Sequence, residues 1–124
     1  MEKGIKFECE YDVKTVLPID EVSMCRILGN ALDNAIEAAQ QLPPEREPRI
    51  DINMLYQDNR LTIRIANTSN PVDIENNMCK TTKLDKWIHG RGLRNIYQAV
   101  EDYGGNAVIK YENGMFVLRI LFLM

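Results

Sequence analysis

The chain has 124 residues, of which 45% are hydrophobic and 27% are charged. This length allows one domain with a sizeable core, and the composition is that of an ordinary globular protein. The formal net charge of −3 provides no general attraction to nucleic acid or to an anionic membrane. Three widely spaced cysteines favour reduced thiols in a cytosolic protein over disulfides or zinc. No apolar run is long enough to predict a membrane span.

The first half of the chain predicts strands, a long helix and a hairpin. Alternating apolar residues over 5–9 predict a half-buried strand, and residues 13–17 predict a second, short extended stretch. Asp20 is the predicted N-cap of a helix that ends near Gln41, where two prolines follow. Two alternating segments then meet at the turn pair Asp58-Asn59, which predicts an antiparallel hairpin with one buried face.

The second half predicts a long loop, a helix and another hairpin. Residues 67–89 lack periodicity and are longer than a simple connector, which is typical of functional loops. A helix is predicted to begin near Gly92 and to end at Gly104-Gly105. The last two strands meet at Asn113-Gly114. Because regular β-α-β alternation is absent, we predict an α+β two-layer sandwich, with a mixed, mostly antiparallel sheet and helices on one face.

The first candidate site lies on the long helix. Asn30 and Asn34 are four residues apart and therefore lie one above the other, on a face that also carries Asp33 and Glu37. Oxygen-rich clusters of this kind suit Mg²⁺, which takes one or two protein ligands and completes its shell with phosphate and water.

The second candidate site is the segment 89–96, which carries Gly90 and Gly92 at the predicted helix start. Glycines there allow close approach of an anion, and free N–H groups at a helix N-terminus bind phosphate. The alternative is that these glycines only let the loop turn into the helix. Lys80, Lys83 and Lys86 precede them and are either partners for a triphosphate or a solvated polar surface.

The order and spacing of these segments resemble the GHKL (Bergerat-fold) ATP-binding domain of sensor histidine kinases, Hsp90-type chaperones, type II topoisomerases and MutL-type repair proteins. The resemblance extends from about residue 19 to residue 124. The strings at 32–39, 66–71, 81–83 and 89–96 are most similar to the peptide-pheromone (quorum-sensing) receptor kinases. This implies a single domain over residues 1–124, as a fragment of a longer sensor kinase that is membrane-bound and places this portion in the cytoplasm.

The resemblance also implies roles for individual residues. Asn34 corresponds to the asparagine that coordinates the Mg²⁺ bridging the ATP phosphates. Asn30 stands where hydrolysing relatives carry a glutamate general base, a role that an amide cannot fill. Lys83 is a further implied ATP contact, and a lid over ATP corresponds to residues of about 72–89. The implied phosphate contacts of the glycine turn are Gly90, Arg91, Gly92 and Leu93.

Two departures from the family pattern concern the adenine site. Most members carry D-x-G-x-G after the third strand, where this chain has Asn67, Ser69 and Pro71. The Asn67 oxygen can still accept from the adenine amino group, but a neutral contact is weaker by ~1 kcal/mol. Met115 stands where many relatives place a threonine near the adenine. We therefore expect ATP binding in the high-micromolar to sub-millimolar range.

The implied function is that of the ATP-binding catalytic domain of a two-component histidine kinase. With ATP and Mg²⁺ as cofactors, it donates the γ-phosphoryl group to a histidine on a separate dimerisation domain, and a response regulator is an indirect partner. His89 abuts the glycine turn and is not that acceptor, so little activity is expected of this chain alone. No nucleic acid and no direct membrane contact are expected. The alternatives are an anti-sigma-type serine kinase and a degenerate interaction module that binds no nucleotide.

Overall fold

The computed structural model describes residues 6–12, 19–80 and 83–123, with side chains described for residues 19–77 and 92–123. The short extended stretch predicted over 13–17 lies outside the described residues. The elements in chain order are β1 (Lys6–Asp12), α1 (Glu21–Gln40), β2 (Arg49–Gln57), β3 (Arg60–Thr68), β4 (Asp73–Glu75), β5 (Met78–Lys80), α2 (Lys83–Asp102), β6 (Asn106–Glu112) and β7 (Met115–Leu123).

Five of the strands form one sheet in the order β1-β2-β3-β7-β6, and β4 pairs only with β5. The β1–β2 pair is parallel and the other three pairs of the large sheet are antiparallel. The predicted mixed, mostly antiparallel α+β arrangement is therefore confirmed.

A single core lies between the large sheet and the two helices. Because strand residues alternate between the two faces of a sheet, one set from β2, β3, β6 and β7 faces the helices. The helices contribute residues at three- and four-residue spacings to the same core and pack on each other. The buried members of this core include Ile27, Ala31, Ala35, Ile50, Ile52, Leu61, Ile63, Ile65, Leu93, Ile96, Val100, Ile109, Leu118, Ile120 and Phe122.

The predicted ends of α1 are confirmed. The Asp20 carboxylate accepts a hydrogen bond from the Ser23 N–H at 2.7 Å, so Asp20 is the N-cap. The helix ends at Gln40 with Gln41 as its C-cap, just before the two prolines. The Tyr103 hydroxyl donates to the other Asp20 oxygen at 2.6 Å and so joins the start of α1 to the end of α2.

The predicted turns are also confirmed. Asp58 and Asn59 have φ angles of 55° and 58° between β2 and β3, and Asn113 and Gly114 have 53° and 77° between β6 and β7. Left-handed φ at both central residues gives the turn twist that matches a tight hairpin, and Asp, Asn and Gly tolerate it best. Helix α2 ends before Gly104, which has a φ of 69°.

Two sequence predictions for residues 67–89 are wrong. First, a small hairpin, β4–β5, lies within the stretch predicted to be a loop, and its turn has Asn76 and Asn77 at φ angles of 53° and 60°. Second, α2 begins at Lys83 rather than near Gly92. The seven residues 83–89 contain neither glycine nor proline. A glycine within a helix costs only about 1 kcal/mol relative to alanine, so Gly90 and Gly92 are tolerated inside α2 rather than marking its start.

Of the residues that the structure describes, neither helix has the length and apolar character needed to cross a bilayer.

Candidate functional site

The asparagines of α1 and the second glycine of α2 face each other. An ideal Cβ built on Gly92 would lie 3.2 Å from Asn34 Oδ1 and 3.7 Å from Asn30 Oδ1. No side chain larger than hydrogen fits there without a shift of the Asn34 amide. The two motifs, about sixty residues apart in sequence, therefore meet where α1 crosses α2, as the predicted site requires.

Asn30 and Asn34 differ in their local contacts. Asn30 is half-buried, and its Nδ2 donates to the Arg26 carbonyl oxygen of the same helix at 2.8 Å. Asn34, one turn later, is half-buried and lines a cavity between the helices and the sheet. Asp33 and Glu37 share this helix face but are not among the lining residues. Asn34 is therefore the residue of this face whose amide reaches the cavity.

The cavity is small, with a volume of about 10 Å³, which is room for about one water molecule. It is therefore far smaller than the roughly 300–1,000 Å³ of typical ligand pockets, and it would have to widen to admit a nucleotide base. Two amides and six apolar side chains line it, which makes its described wall uncharged. The lining residues are Ala31, Asn34, Ile65, Asn67, Leu93, Ile96, Phe116 and Leu118.

Asn67 forms part of the cavity wall on the sheet side. It is 4% exposed, and its Nδ2 donates to the Thr68 carbonyl oxygen at 3.2 Å. This bond directs the amide nitrogen at the strand's own backbone, so the amide oxygen is the group available as an acceptor. A buried acceptor in a mostly apolar cavity suits a partner that carries a hydrogen-bond donor.

Phe116, and not Met115, lies beside Asn67. Strand β7 pairs Phe116 with Asn67 and Met115 with Thr68, and neighbouring residues on a strand face opposite sides. Phe116 lines the cavity, whereas the Met115 sulfur lies 3.7 Å from the Thr68 hydroxyl. Met115 is therefore not among the residues that line this cavity. Phe116 is not among the candidates selected from the sequence, although side-chain alternation along β7 indicates that Phe116 and Met115 face opposite sides of the sheet.

The other predicted phosphate contacts lie on α2. Leu93 is 4% exposed and lines the cavity, and Gly90 and Arg91 precede it in the same helix. Helical N–H groups bond to the carbonyl four residues earlier, so the backbone donors of residues 90–93 are engaged within α2. Lys83, at the first position of α2, is about 13 Å along the helix axis from Gly92. The structure therefore brings together Asn30, Asn34, Asn67, Gly92 and Leu93, and places Lys83 at a distance.

The described part of the chain has no cluster of three or more His, Cys, Asp or Glu side chains that could hold a metal ion. Asn34 Oδ1 is an oxygen donor of the type that Mg²⁺ takes, and it lies 3.2 Å from an ideal Cβ on Gly92.

Comparison with known proteins shows the family and the fold of this chain. A family model described as the GHKL domain matches residues 19–123. No curated protein matches the sequence. Because the family model covers most of the chain, the chain belongs to the GHKL domain family. It is thus a GHKL ATP-binding domain by family, and its fold resembles those of histidine kinase catalytic domains.

The solved structures with this fold include the histidine kinases ThkA and AdeS and the protein ShkA. A nucleotide-free catalytic domain of ThkA is 22% identical, with a TM-score of 0.73, and the match covers 96% of this chain and 80% of that one. AdeS from Acinetobacter baumannii is 16% identical, with a TM-score of 0.66 and coverage of 97% and 54%. Full-length ShkA in complex with AMPPNP is 16% identical, with a TM-score of 0.68 and coverage of 96% and 25%. ThkA has also been solved in complex with the response regulator protein TrrA, where the match is 20% identical with a TM-score of 0.65, and covers 96% of this chain and 34% of ThkA.

Proposed function

We propose that this domain binds Mg–ATP and donates the γ-phosphoryl group to a histidine on a separate dimerisation domain of a sensor histidine kinase. The observation that carries the proposal is the contact between Gly92 and Asn34 at the rim of a cavity that also contains the Asn67 amide. An amide oxygen of the type that Mg²⁺ takes, a glycine facing it and a small, mostly apolar cavity with a second amide lie within one site. These are the parts that nucleotide binding requires.

Each part has a role in the proposal. Asn34 supplies one oxygen ligand to Mg²⁺, whose remaining positions are filled by phosphate and water. The adenine binds at this cavity once it widens, so that Asn67 accepts from the adenine amino group and the apolar walls exclude water. Catalysis then consists of positioning and electrostatic stabilisation: the acceptor imidazole nitrogen attacks the γ-phosphorus, a P–N bond forms, and the P–O bond to ADP breaks. Asn30 supplies no general base, so water is not activated as a competing acceptor.

Because residues 90–93 lie within α2, their binding to phosphate requires a local change of the helix. The backbone N–H groups of Gly90, Arg91, Gly92 and Leu93 become available to phosphate only when this part of α2 opens. Two glycines in four residues lower the cost of that opening, because each is about 1 kcal/mol less favourable in a helix than alanine. Residues 72–89, including Lys83, then act as the lid over the nucleotide.

The finer assignment is to the peptide-pheromone receptor kinases, as the cytoplasmic portion of a membrane-bound sensor. It is supported by the sequence segments 32–39, 66–71, 81–83 and 89–96. In the second of these, Asn67, Ser69 and Pro71 replace D-x-G-x-G. The proposed partners are the dimerisation domain of the same kinase and, through it, a response regulator.

The test has two stages. The purified domain is first titrated calorimetrically with Mg–AMPPNP up to millimolar concentration, where we expect a dissociation constant in the high-micromolar to sub-millimolar range. It is then mixed with radiolabelled ATP and a dimerisation domain supplied as a separate chain. We expect acid-labile phosphohistidine on that chain and negligible ATP hydrolysis without it.

Each alternative has its own outcome. No heat and no thermal shift with Mg–AMPPNP would support a module that does not bind nucleotide. Acid-stable phosphoserine on a partner would support the serine kinase. Rapid ATP hydrolysis by the domain alone would contradict the role given to Asn30.

A further inference from the structure

Arg46, an arginine outside the predicted site, donates hydrogen bonds to two backbone segments. Each segment lies two residues from a residue that lines the cavity, Asn67 or Phe116. Arg46 lies in the connection between α1 and β2 and is half-buried. Its Nη1 donates to the Ser69 carbonyl oxygen and its Nη2 donates to the Gly114 carbonyl oxygen, both at 2.9 Å. One planar cation thus links the end of β3 to the turn between β6 and β7, using the fork geometry that favours arginine at such positions.

The linked segments are themselves in contact. The Ser69 N–H donates to the Gly114 carbonyl oxygen at 3.1 Å, which extends the β3–β7 pairing one step beyond Thr68 and Met115. The Ser69 carbonyl accepts a second hydrogen bond from the Tyr111 hydroxyl at 2.9 Å. Ser69 is 6% exposed, so these hydrogen bonds form largely away from water.

Arg46 also requires the glycine opposite it. An ideal Cβ on Gly114 would lie 2.9 Å from Arg46 Nη2, and Gly114 has a φ of 77°. Any larger residue there would strain the turn and push the guanidinium away from both carbonyl groups.

These contacts lie close in sequence to Asn67, whose amide we propose as the acceptor for the base. The residue between Asn67 and Ser69 is Thr68, whose carbonyl oxygen accepts from Asn67 Nδ2 at 3.2 Å. A shift of the strand end would therefore move the group that orients the Asn67 amide. Phe116, the cross-strand partner of Asn67, follows Gly114 by two residues and would shift with the same turn.

We propose that Arg46 is a positioning residue for the base-binding end of the site: by holding Ser69 and Gly114, it keeps the Asn67 oxygen directed at the 6-amino group of adenine. This proposal rests on the function proposed above. It makes Arg46 a determinant of base specificity without contact with the nucleotide. An amide oxygen held in this orientation accepts from the 6-amino group of adenine, whereas the carbonyl at position 6 of hypoxanthine offers it no donor.

The experiment compares Mg–ATP with Mg–ITP, whose base has an oxygen in place of the 6-amino group. Wild-type protein is expected to bind ATP about tenfold more tightly than ITP, a ratio that corresponds to the net free energy of one hydrogen bond. In Arg46→Met, which keeps the apolar stem and removes both donors, the ATP/ITP ratio is expected to fall below about twofold. Arg46→Lys keeps the charge and is expected to restore part of the ratio. Glu47→Gln, at an exposed neighbouring position, is the control and should keep the wild-type ratio.

The outcomes separate three possibilities. If Arg46→Met weakens ATP and ITP equally and keeps the ratio, Arg46 is merely structural and the proposal is overturned. If wild-type protein binds neither nucleotide, the proposed function fails and this proposal fails with it. Should Arg46→Met not fold, Tyr111→Phe removes only one donor to the Ser69 carbonyl and is expected to lower the ratio by about half. An unchanged ratio in that variant would overturn the proposal.

Discussion

Gly92 lies directly against Asn34, with 3.2 Å between an ideal Cβ on Gly92 and Asn34 Oδ1. A Cβ at residue 92 would make this contact unusually tight, so the Asn34 amide would have to shift by a few tenths of an ångström. A glycine inside a helix lowers stability relative to alanine. At this helix crossing, Gly92 leaves space for a side chain of the facing helix. In this chain it leaves room for the amide that we propose as the magnesium ligand.

Substitution of Gly92 should therefore separate stability from nucleotide binding. In Gly92→Ala, the gain in helix propensity of about 1 kcal/mol should be largely offset by the tight contact with Asn34. We expect little net change in the free energy of unfolding but several-fold weaker Mg–AMPPNP binding, because the amide must move. Gly92→Val should weaken binding further. The measurements are urea denaturation and calorimetric titration.

Gly29 provides the matched control, since it lies in α1 and a Cβ there would meet nothing within 4 Å. Gly29→Ala is expected to raise the free energy of unfolding by about 0.5–1 kcal/mol and to leave binding unchanged. Equal binding by wild type and Gly92→Ala would remove this contact from the nucleotide site.

Replacement of Asn34 tests the metal ligand itself. Asn34→Ala is expected to weaken Mg–AMPPNP binding at least tenfold, because a magnesium ligand is lost, while stability stays within about 0.5 kcal/mol. The control is Asp33→Ala, at an exposed position of the same helix that does not line the cavity. Wild-type affinity in Asn34→Ala would exclude Asn34 from the site.

Asp20 is expected to make stability depend on acid pH. The hydrogen bond from the Tyr103 hydroxyl, followed by that from the Ser23 N–H, lowers the pKa of Asp20 below its ordinary value of 3.8. A lowered pKa in the folded state means that the unfolded state binds the proton more readily. The contribution is therefore complete well above the ordinary value and is lost as pH falls from about 4 through the folded-state pKa.

Urea denaturation at a series of pH values below about 5 checks this dependence. Tyr103→Phe removes the larger cause and should flatten the acid dependence, whereas Tyr111→Phe, whose hydroxyl bonds elsewhere, should not. An identical pH profile in wild type and Tyr103→Phe would contradict the coupling.

Asn77 lies within the proposed lid segment and is expected to stabilise its attachment to the edge of the sheet. Its Nδ2 donates to the Ala107 carbonyl oxygen at 2.8 Å, and its Oδ1 accepts from the Ile109 N–H at 2.9 Å. The Tyr97 hydroxyl of α2 donates to the Asn77 carbonyl oxygen at 2.6 Å. The hairpin β4–β5 is thereby attached to both the edge strand β6 and helix α2.

Asn77→Gly keeps the left-handed backbone but removes both side-chain bonds, so we expect the free energy of unfolding to fall by about 1–3 kcal/mol. Asn76→Gly, at the neighbouring exposed position with a similar φ, should be neutral or slightly stabilising. Equal stabilities of the two variants in urea denaturation would contradict the role of the Asn77 side chain.

Local features of the sequence were sufficient for the helix cap at Asp20, the hairpin turns at Asp58-Asn59 and Asn113-Gly114, and the α+β class. Each depends on the chemistry of a few neighbouring residues: a carboxylate beside free N–H groups, residues that tolerate positive φ, or alternation of apolar side chains. The start of α2 was misplaced because a glycine pair is compatible with both a turn and a helix interior. Tertiary packing, rather than the local sequence, decides between them.

Local sequence, together with the resemblance it carries, was enough to select Asn34, Asn67 and Gly92 as candidates. It could not establish that Gly92 leaves room for Asn34, that Phe116 rather than Met115 lies beside Asn67, or that Arg46 joins Ser69 to Gly114. Those contacts link residues far apart along the chain, and their distances depend on how helices cross and strands pair. The chain's own residues thus determine its elements and the chemistry available to it, whereas only the folded packing decides which of those groups meet.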